Sequence, residues 1–181
     1  MRRLVSRLAA AAELLPVFVF PALAQDWPAG KTVQIVVPAP GGGGTGDSIA
    51  RVVSEALAKR LQTSVVIDNK PGANGNIGAS AAATAAPDGH HLLFSWAGTL
   101  AVNPSLYRSM PYDAAKDFVP ITLIAITPNV LVVNANSPVN GVKEFIAYAK
   151  ANPGKLSFGS GSNGSAGHLA GELFKVETGT D

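Results

Sequence analysis

Two glycine-rich turns hold the residues of this chain best placed for chemistry. One reads Pro38-Ala39-Pro40-Gly41-Gly42-Gly43-Gly44-Thr45-Gly46-Asp47 and follows the apolar run Val33-Gln34-Ile35-Val36-Val37. The other reads Lys70-Pro71-Gly72-Ala73-Asn74-Gly75-Asn76-Ile77-Gly78 and follows Val65-Val66-Ile67-Asp68. Glycine lets a backbone N–H approach a bound group with no Cβ in the way. A helix opening directly after such a turn adds unpaired N–H donors and the positive end of its dipole. The chemistry this favours is the grip of a small anion, such as a carboxylate, by main chain more than by charged side chains. A third turn of the same kind, Ser160-Gly161-Ser162-Asn163-Gly164-Ser165, precedes the last helical pattern.

Other chemistries fit less well. Gly41-x-Gly43-x-x-Gly46 matches a dinucleotide fingerprint, and Asp68 stands at the spacing of a ribose-binding acid. A fragment of a Rossmann-like dinucleotide-binding oxidoreductase is therefore the alternative reading. A run of glycines satisfies that pattern easily, however, and Pro38 and Pro40 stretch a turn that has to be tight. Gly41–Ser48 has phosphate-loop spacing, but Asp47 replaces the lysine and would repel a phosphate. His90 and His91 are adjacent, so on a strand they point to opposite faces and cannot share a metal. His168, in the first turn of the last helix, reads as a capping or packing residue. With no cysteine, no G-x-S-x-G and no H-E-x-x-H, nothing sets a base beside a nucleophile. The expectation is a binding protein with no catalytic residue, no metal and no cofactor.

The turns need a scaffold of alternating strands and helices, and the pattern predicts one. After the strand Val33–Val37 comes a helix from about Ser48 to Leu61, with Asp47 placed to cap it. Its apolar residues Ile49, Val52, Val53, Ala56, Leu57 and Leu61 recur at helical spacing, with Arg51, Glu55 and Lys59 opposite. A strand Val65–Asp68, an alanine-rich helix from about Asn76 to Ala86, the turn Pro87-Asp88-Gly89 and a buried strand His91–Ser95 follow. Such alternation implies βαβ units and a parallel sheet covered on both faces. Beyond it, Asn103-Pro104 and Met110–Asp113 mark loops with one helical turn between them. Val119–Ile126 and Val130–Asn134 are apolar, β-branched runs separated by Thr127-Pro128-Asn129, where a hinge is expected. The pattern then restarts with a helix Val142–Ala151, a strand Leu156–Gly159 and a helix from about Ala166 to Glu177. A second lobe of this size is expected to be incomplete, leaving apolar faces without partners.

The start of the chain carries an address. Met1–Arg7 is basic, Leu8–Leu23 is apolar, and Ala22-Leu23-Ala24 has the small-x-small form of a cleavage site. Residues 1–24 thus read as a secretory signal peptide, and the expected location is the periplasm. The apolar stretch falls short of the roughly twenty residues a bilayer span needs. Without residues 1–24 the chain carries eleven basic and eleven acidic residues, so it is neutral. No basic patch with interleaved aromatics remains, which argues against nucleic acid as a partner.

The chain also resembles the Bug-type solute-binding proteins of tripartite tricarboxylate transporters, from about Trp27 to its end. The resemblance rests on Val36-Val37-Pro38 with its Pro-Gly-Gly turn, Asp47-x-x-Ala50-Arg51, Asn69-Lys70-Pro71-Gly72-Ala73 and Gly75-Asn76-Ile77-Gly78. It continues through Ala86-Pro87-Asp88-Gly89, Asn103-Pro104-Ser105-Leu106-Tyr107, Pro111-Tyr112-Asp113, Lys116-Asp117-Phe118, Asn129–Asn134 and Pro153–Leu156. Gly164-Ser165-x-x-His168-Leu169-Ala170-Gly171-Glu172-Leu173-Phe174 closes it. The resemblance implies an α/β, two-lobe fold of the periplasmic-binding-protein kind (type II-like), here with residues 25–127 as the first lobe and 128–181 as part of the second. It implies capture of a small carboxylate in the cleft for the membrane subunits of such a transporter. Carried onto this chain, the carboxylate seat falls on Pro40, Gly41, Gly42, Gly43, Gly44 and Thr45 and on Gly72, Ala73 and Asn76. Ser95, Thr99 and Asn103, with Ser162, Asn163 and Ser165 of the second lobe, would line the rest. The segment from Pro40 to Asp47 is longer than the family's usual Pro-Gly-Gly-x-x-Asp, and members of the family are nearly twice as long as the mature chain.

Overall fold

Val33–Val37 forms the central strand, β1, of a three-stranded parallel sheet in the order β2-β1-β3, with β2 at Val65–Asn69 and β3 at His91–Leu93. The computed structural model describes residues 27–181, so the expected signal peptide lies outside the described residues. Register pairs Val33 with Val65 and Val37 with Asn69 on one side, and Gln34 with His91 and Val36 with Leu93 on the other. A strand flanked on both edges and covered on both faces is mostly apolar, and in β1 only the half-buried Gln34 departs from this. Accordingly Val33, Ile35, Val36 and Val37 are all buried. Ile35 and Val37, two positions apart and so on one face, pack with Ala50 of the first helix and are ringed by Leu57, Val65, Ile67, Leu92 and Phe94.

That helix, α1 (Gly44–Leu61), packs on β1 and β2, and α2 (Asn76–Ala83) packs on β1 and β3. Gly78 permits the close approach of α2, because a Cβ there would sit 3.0 Å from Pro38 Cβ and from the Lys70 carbonyl oxygen. In the order 2-1-3 the crossover from β1 to β2 and the crossover from β2 to β3 run in opposite directions, which makes the carboxyl ends of β1 and β3 a topological switch point. Pro38–Gly43, Lys70–Gly75 and the segment after Leu93 all leave the sheet at that edge.

Several expected boundaries shift for local reasons. The first helix begins at Gly44, four residues before the expected Ser48. The second ends at Ala83, where the Thr84 hydroxyl bonds back to the Ser80 carbonyl oxygen at 3.0 Å and Pro87 bars continuation. The third strand keeps only His91–Leu93, although the Phe94 N–H still donates to the Val36 carbonyl oxygen at 3.0 Å. A wide turn at Gly98–Val102 runs into α3 (Asn103–Leu106). The helices α4 (Val142–Ala151) and α5 (Ala166–Thr178) fall where the pattern puts them and meet through Phe145 and Phe174, their ring centroids 5.9 Å apart. The runs 119–126, 130–134 and 156–159 do not form strands. Val119, Ile126 and Val130 are at least 80% exposed, and a β-branched run without a neighbouring edge has no ladder to join.

Candidate functional site

One carboxylate shapes the first turn. Asp47 is 2% exposed and accepts hydrogen bonds from the Gly42 N–H (3.0 Å), Arg51 Nε (2.8 Å) and Nη2 (3.2 Å), and Asn69 Nδ2 (2.9 Å). The Arg51 guanidinium, one helical turn on, and then the Asn69 amide hold its pKa down at about 2 against the opposing effect of burial. Asn69 also donates to the Ala39 carbonyl oxygen at 3.1 Å, so the turn is stitched to the end of β2. Gly41 passes so close that a Cβ would lie 2.8 Å from Asn69 Oδ1. The expected cap is thereby corrected. Gly43, in extended conformation and without a side-chain bond, holds the N-cap position, while Asp47 sits inside the first turn and reaches back. Pro40, Gly41, Gly42, Gly43, Gly44 and Thr45 are all exposed, but the Gly42 N–H is already spent on Asp47.

The second turn runs left-handed through four successive residues, with φ of 119° at Gly72, 47° at Ala73, 50° at Asn74 and 93° at Gly75. Two of these carry a Cβ, and each such residue in the left-handed region costs about 1–2 kcal/mol. Buried side chains hold the turn from behind. Asn103, fully buried, donates through Nδ2 to the Asn74 carbonyl oxygen (3.1 Å) and to Asn76 Oδ1 (2.6 Å), and accepts from Asn74 Nδ2 at 2.7 Å. Thr99, also fully buried, donates to the same Asn74 carbonyl oxygen at 2.9 Å. The Tyr112 hydroxyl lies 2.8 Å from both Asn76 Oδ1 and the Thr99 carbonyl oxygen, and burial pushes its pKa up.

The third turn reaches this knot. Ser162 Oγ donates to Asn74 Oδ1 at 2.6 Å, and the Gly164 carbonyl oxygen would lie 3.2 Å from a Cβ on Gly98. Ser165 caps α5 by accepting the His168 N–H at 3.2 Å, and His168 Nδ1 in turn accepts the Gly164 N–H at 3.2 Å. Ser95, just past β3, has a buried Oγ with no partner in the chain. Trp96 stacks its ring edge within 3.2 Å of where a Cβ on Gly46 would be, closing the side of the first turn. A depression of about 420 Å³ opens beside Ala73, Asn76, Ile77 and Ser80, walled by Tyr107 and Ser109.

Of the sequence-predicted residues, the structure brings Pro40–Thr45, Gly72, Ala73 and Ser95 to the carboxyl edge of the sheet and Ser162 against Asn74. Asn163 is exposed, whereas Asn76, Thr99 and Asn103 are buried behind the second turn, Asn103 bonded to Asn76 and to Asn74, and Thr99 to the Asn74 carbonyl oxygen. Sequence reasoning missed Asn69, Asn74 and Tyr112. An Asn-Gly pair tolerates the left-handed region, and that was the readable signal for Asn74. The dinucleotide reading loses its acid, because Asp68 accepts from Gln34 Nε2 at 2.6 Å and pairs with Lys70 at 3.0 Å. Among the described residues the cations nearest the turns, Arg51 and Lys70, are each paired with a carboxylate, and no cluster of three metal-ligating side chains exists.

The family profile of the "Tripartite tricarboxylate transporter family receptor" matches residues 49–181. The protein BugT of Bordetella pertussis is 41% identical over 88% of this chain and 48% of its own length. Among solved structures, Rhodopseudomonas palustris Rpa4515 with adipate superposes with a TM-score of 0.82 at 42% identity, covering 86% of this chain and 52% of that one. MatC of the same organism, with bound malate, gives 0.74 at 31% identity over 83% and 51%. The chain spans about half the length of the curated relatives it matches. The expected α/β architecture of periplasmic solute-binding proteins is what these neighbours share. This chain belongs to the tripartite tricarboxylate transporter receptor family.

Proposed function

We propose that this protein captures a small carboxylate, of the dicarboxylate class to which adipate and malate belong, in the periplasm and presents it to the membrane subunits of a tripartite transporter. The observation that carries the reading is the convergence of backbone-rich turns on one switch-point edge whose neighbouring cations are already neutralised. Main-chain N–H groups of Gly41, Gly43, Gly44 and Thr45, and of Gly72 and Ala73, form the seat for one carboxylate, backed by Asn76. The unpartnered Ser95 hydroxyl and the third turn, with Ser162, Asn163 and Ser165, complete the wall. Thr99 and Asn103 support this wall from the buried side. Residues 25–127 form the first lobe, 128–181 belong to the second, and residues 1–24 direct export.

The test is calorimetric titration of the protein with adipate, malate and a monocarboxylate control. A dicarboxylate is expected to bind, and Gly72→Val to abolish that binding, since a β-branched residue is strained at a φ of 119° and would distort the turn that presents the N–H groups. Binding that survives Gly72→Val in a folded protein overturns the site. Absence of binding to every dicarboxylate in a folded wild-type chain overturns the ligand class.

A further inference from the structure

We infer that Asn103 is a positioning residue: from a fully buried site it holds the left-handed turn Gly72–Gly75 in the shape that presents its N–H groups. The inference rests on the reading of that turn as part of a carboxylate seat.

Four successive residues with positive φ, two of them the Cβ-bearing Ala73 and Asn74, carry a steric cost that the local sequence does not repay by itself. Such a segment persists only where its surroundings over-determine it. Asn103 supplies that constraint with all three of its side-chain bonds, two to Asn74 and one to Asn76, so it clamps both the middle of the turn and the first residue of α2. Asn103 itself is fixed at the start of α3, where the Tyr107 N–H donates to its carbonyl oxygen at 2.9 Å. Thr99 and Tyr112 fill the remaining valences at Asn74 and Asn76. Its carboxamide oxygen and both amide hydrogens are committed within the protein, so Asn103 has nothing to offer a ligand directly. Through Asn74 the clamp also reaches the third turn, because Asn74 Oδ1 accepts from Ser162 while its Nδ2 donates to Asn103. The shape of the second turn and the seating of the third are thus set by one asparagine pair.

The experiment compares wild-type protein, Asn103→Ala, and the double variant Asn103→Ala with Ala73→Gly, by adipate calorimetry and by amide hydrogen exchange of the unliganded proteins. In Asn103→Ala, buried groups on Asn74 and Asn76 lose their partners. Affinity is expected to fall about tenfold or more, and exchange at Asn74–Ile77 to quicken while exchange in Val33–Val37 stays at its wild-type rate. Ala73→Gly removes the steric cost of one left-handed residue and touches none of the Asn103 contacts, so the double variant is expected to recover part of both losses. Exchange that rises equally across β1 and the turn, with no recovery in the double variant, shows general destabilisation and overturns the inference. Affinity lost with unchanged exchange at the turn shows that Asn103 contacts the ligand, which also overturns it. If wild-type protein binds no dicarboxylate, the reading of function fails, yet the exchange comparison still decides whether Asn103 holds the turn.

Discussion

Asp47 shows how a single side chain can carry more than its position in a motif suggests. An acid at the start of a helix reads as a cap, yet here it gathers four donors and ties the first turn to α1 and to β2. Its pKa of about 2 lies below the ordinary 3.8, so its ionised form is favoured by folding. The stability it contributes is therefore fully present above pH 3.8 and is lost as the pH falls through about 2. Asp47→Ala is expected to lower the denaturation midpoint at neutral pH, with the gap between variant and wild type closing as the pH drops through that window. A gap that stays constant down to pH 2 would show that ionisation of Asp47 is not what stabilises the turn. Nothing in a lone sequence announces Asn69 as its partner, because the contact spans separate elements and only the register of β2 beside β1 creates it.

At the scale of elements, the sequence was legible wherever local periodicity and burial agree. β1, α1, α4 and α5 each have an apolar pattern with the period of their final structure, and they appear within a few residues of their expected ends. The candidate site was half legible: the exposed glycines announce themselves, while the roles of Asn76, Thr99 and Asn103 depend on the tertiary contact that buries them. Strand signals at 119–126, 130–134 and 156–159 misled because β-propensity describes a fit to a neighbouring strand, and among the described residues no strand lies beside them. The tight seating of α2 yields a prediction at this scale. Gly78→Ala gains up to about 1 kcal/mol in helix propensity. It also drives a Cβ toward the Lys70 carbonyl and Pro38, an overpacking cost of about 1–3 kcal/mol that backbone cannot readily relieve. A net drop in the urea midpoint is expected, and a rise would show that α2 has room to retreat.

For the whole molecule, the decisive quantity is apolar surface left outside. Val119, Leu123, Ile126, Val130 and Val132 are all more than 70% exposed and lie in a stretch with no charged side chain. Uncharged β-branched windows of this sort associate through their unpaired backbone. The chain is expected to show concentration-dependent association by light scattering, and Ile126→Lys with Val132→Lys to reduce it, since charges interrupt such contacts. A monodisperse monomer for the wild type across a wide concentration range would count against this expectation.

The position of β1 also has a consequence in time. The first strand among the described residues is the middle strand in space, and both of its neighbours arrive only after a crossover helix. Among the described residues no hairpin exists to nucleate this sheet. Its central ladder closes only after a long loop has been searched, and until His91–Leu93 docks one full edge of β1 stays open. Non-local parallel pairing of this kind folds slowly. The rate at which the carboxyl edge of the sheet comes into being is therefore governed by closure of the whole span from β1 to β3.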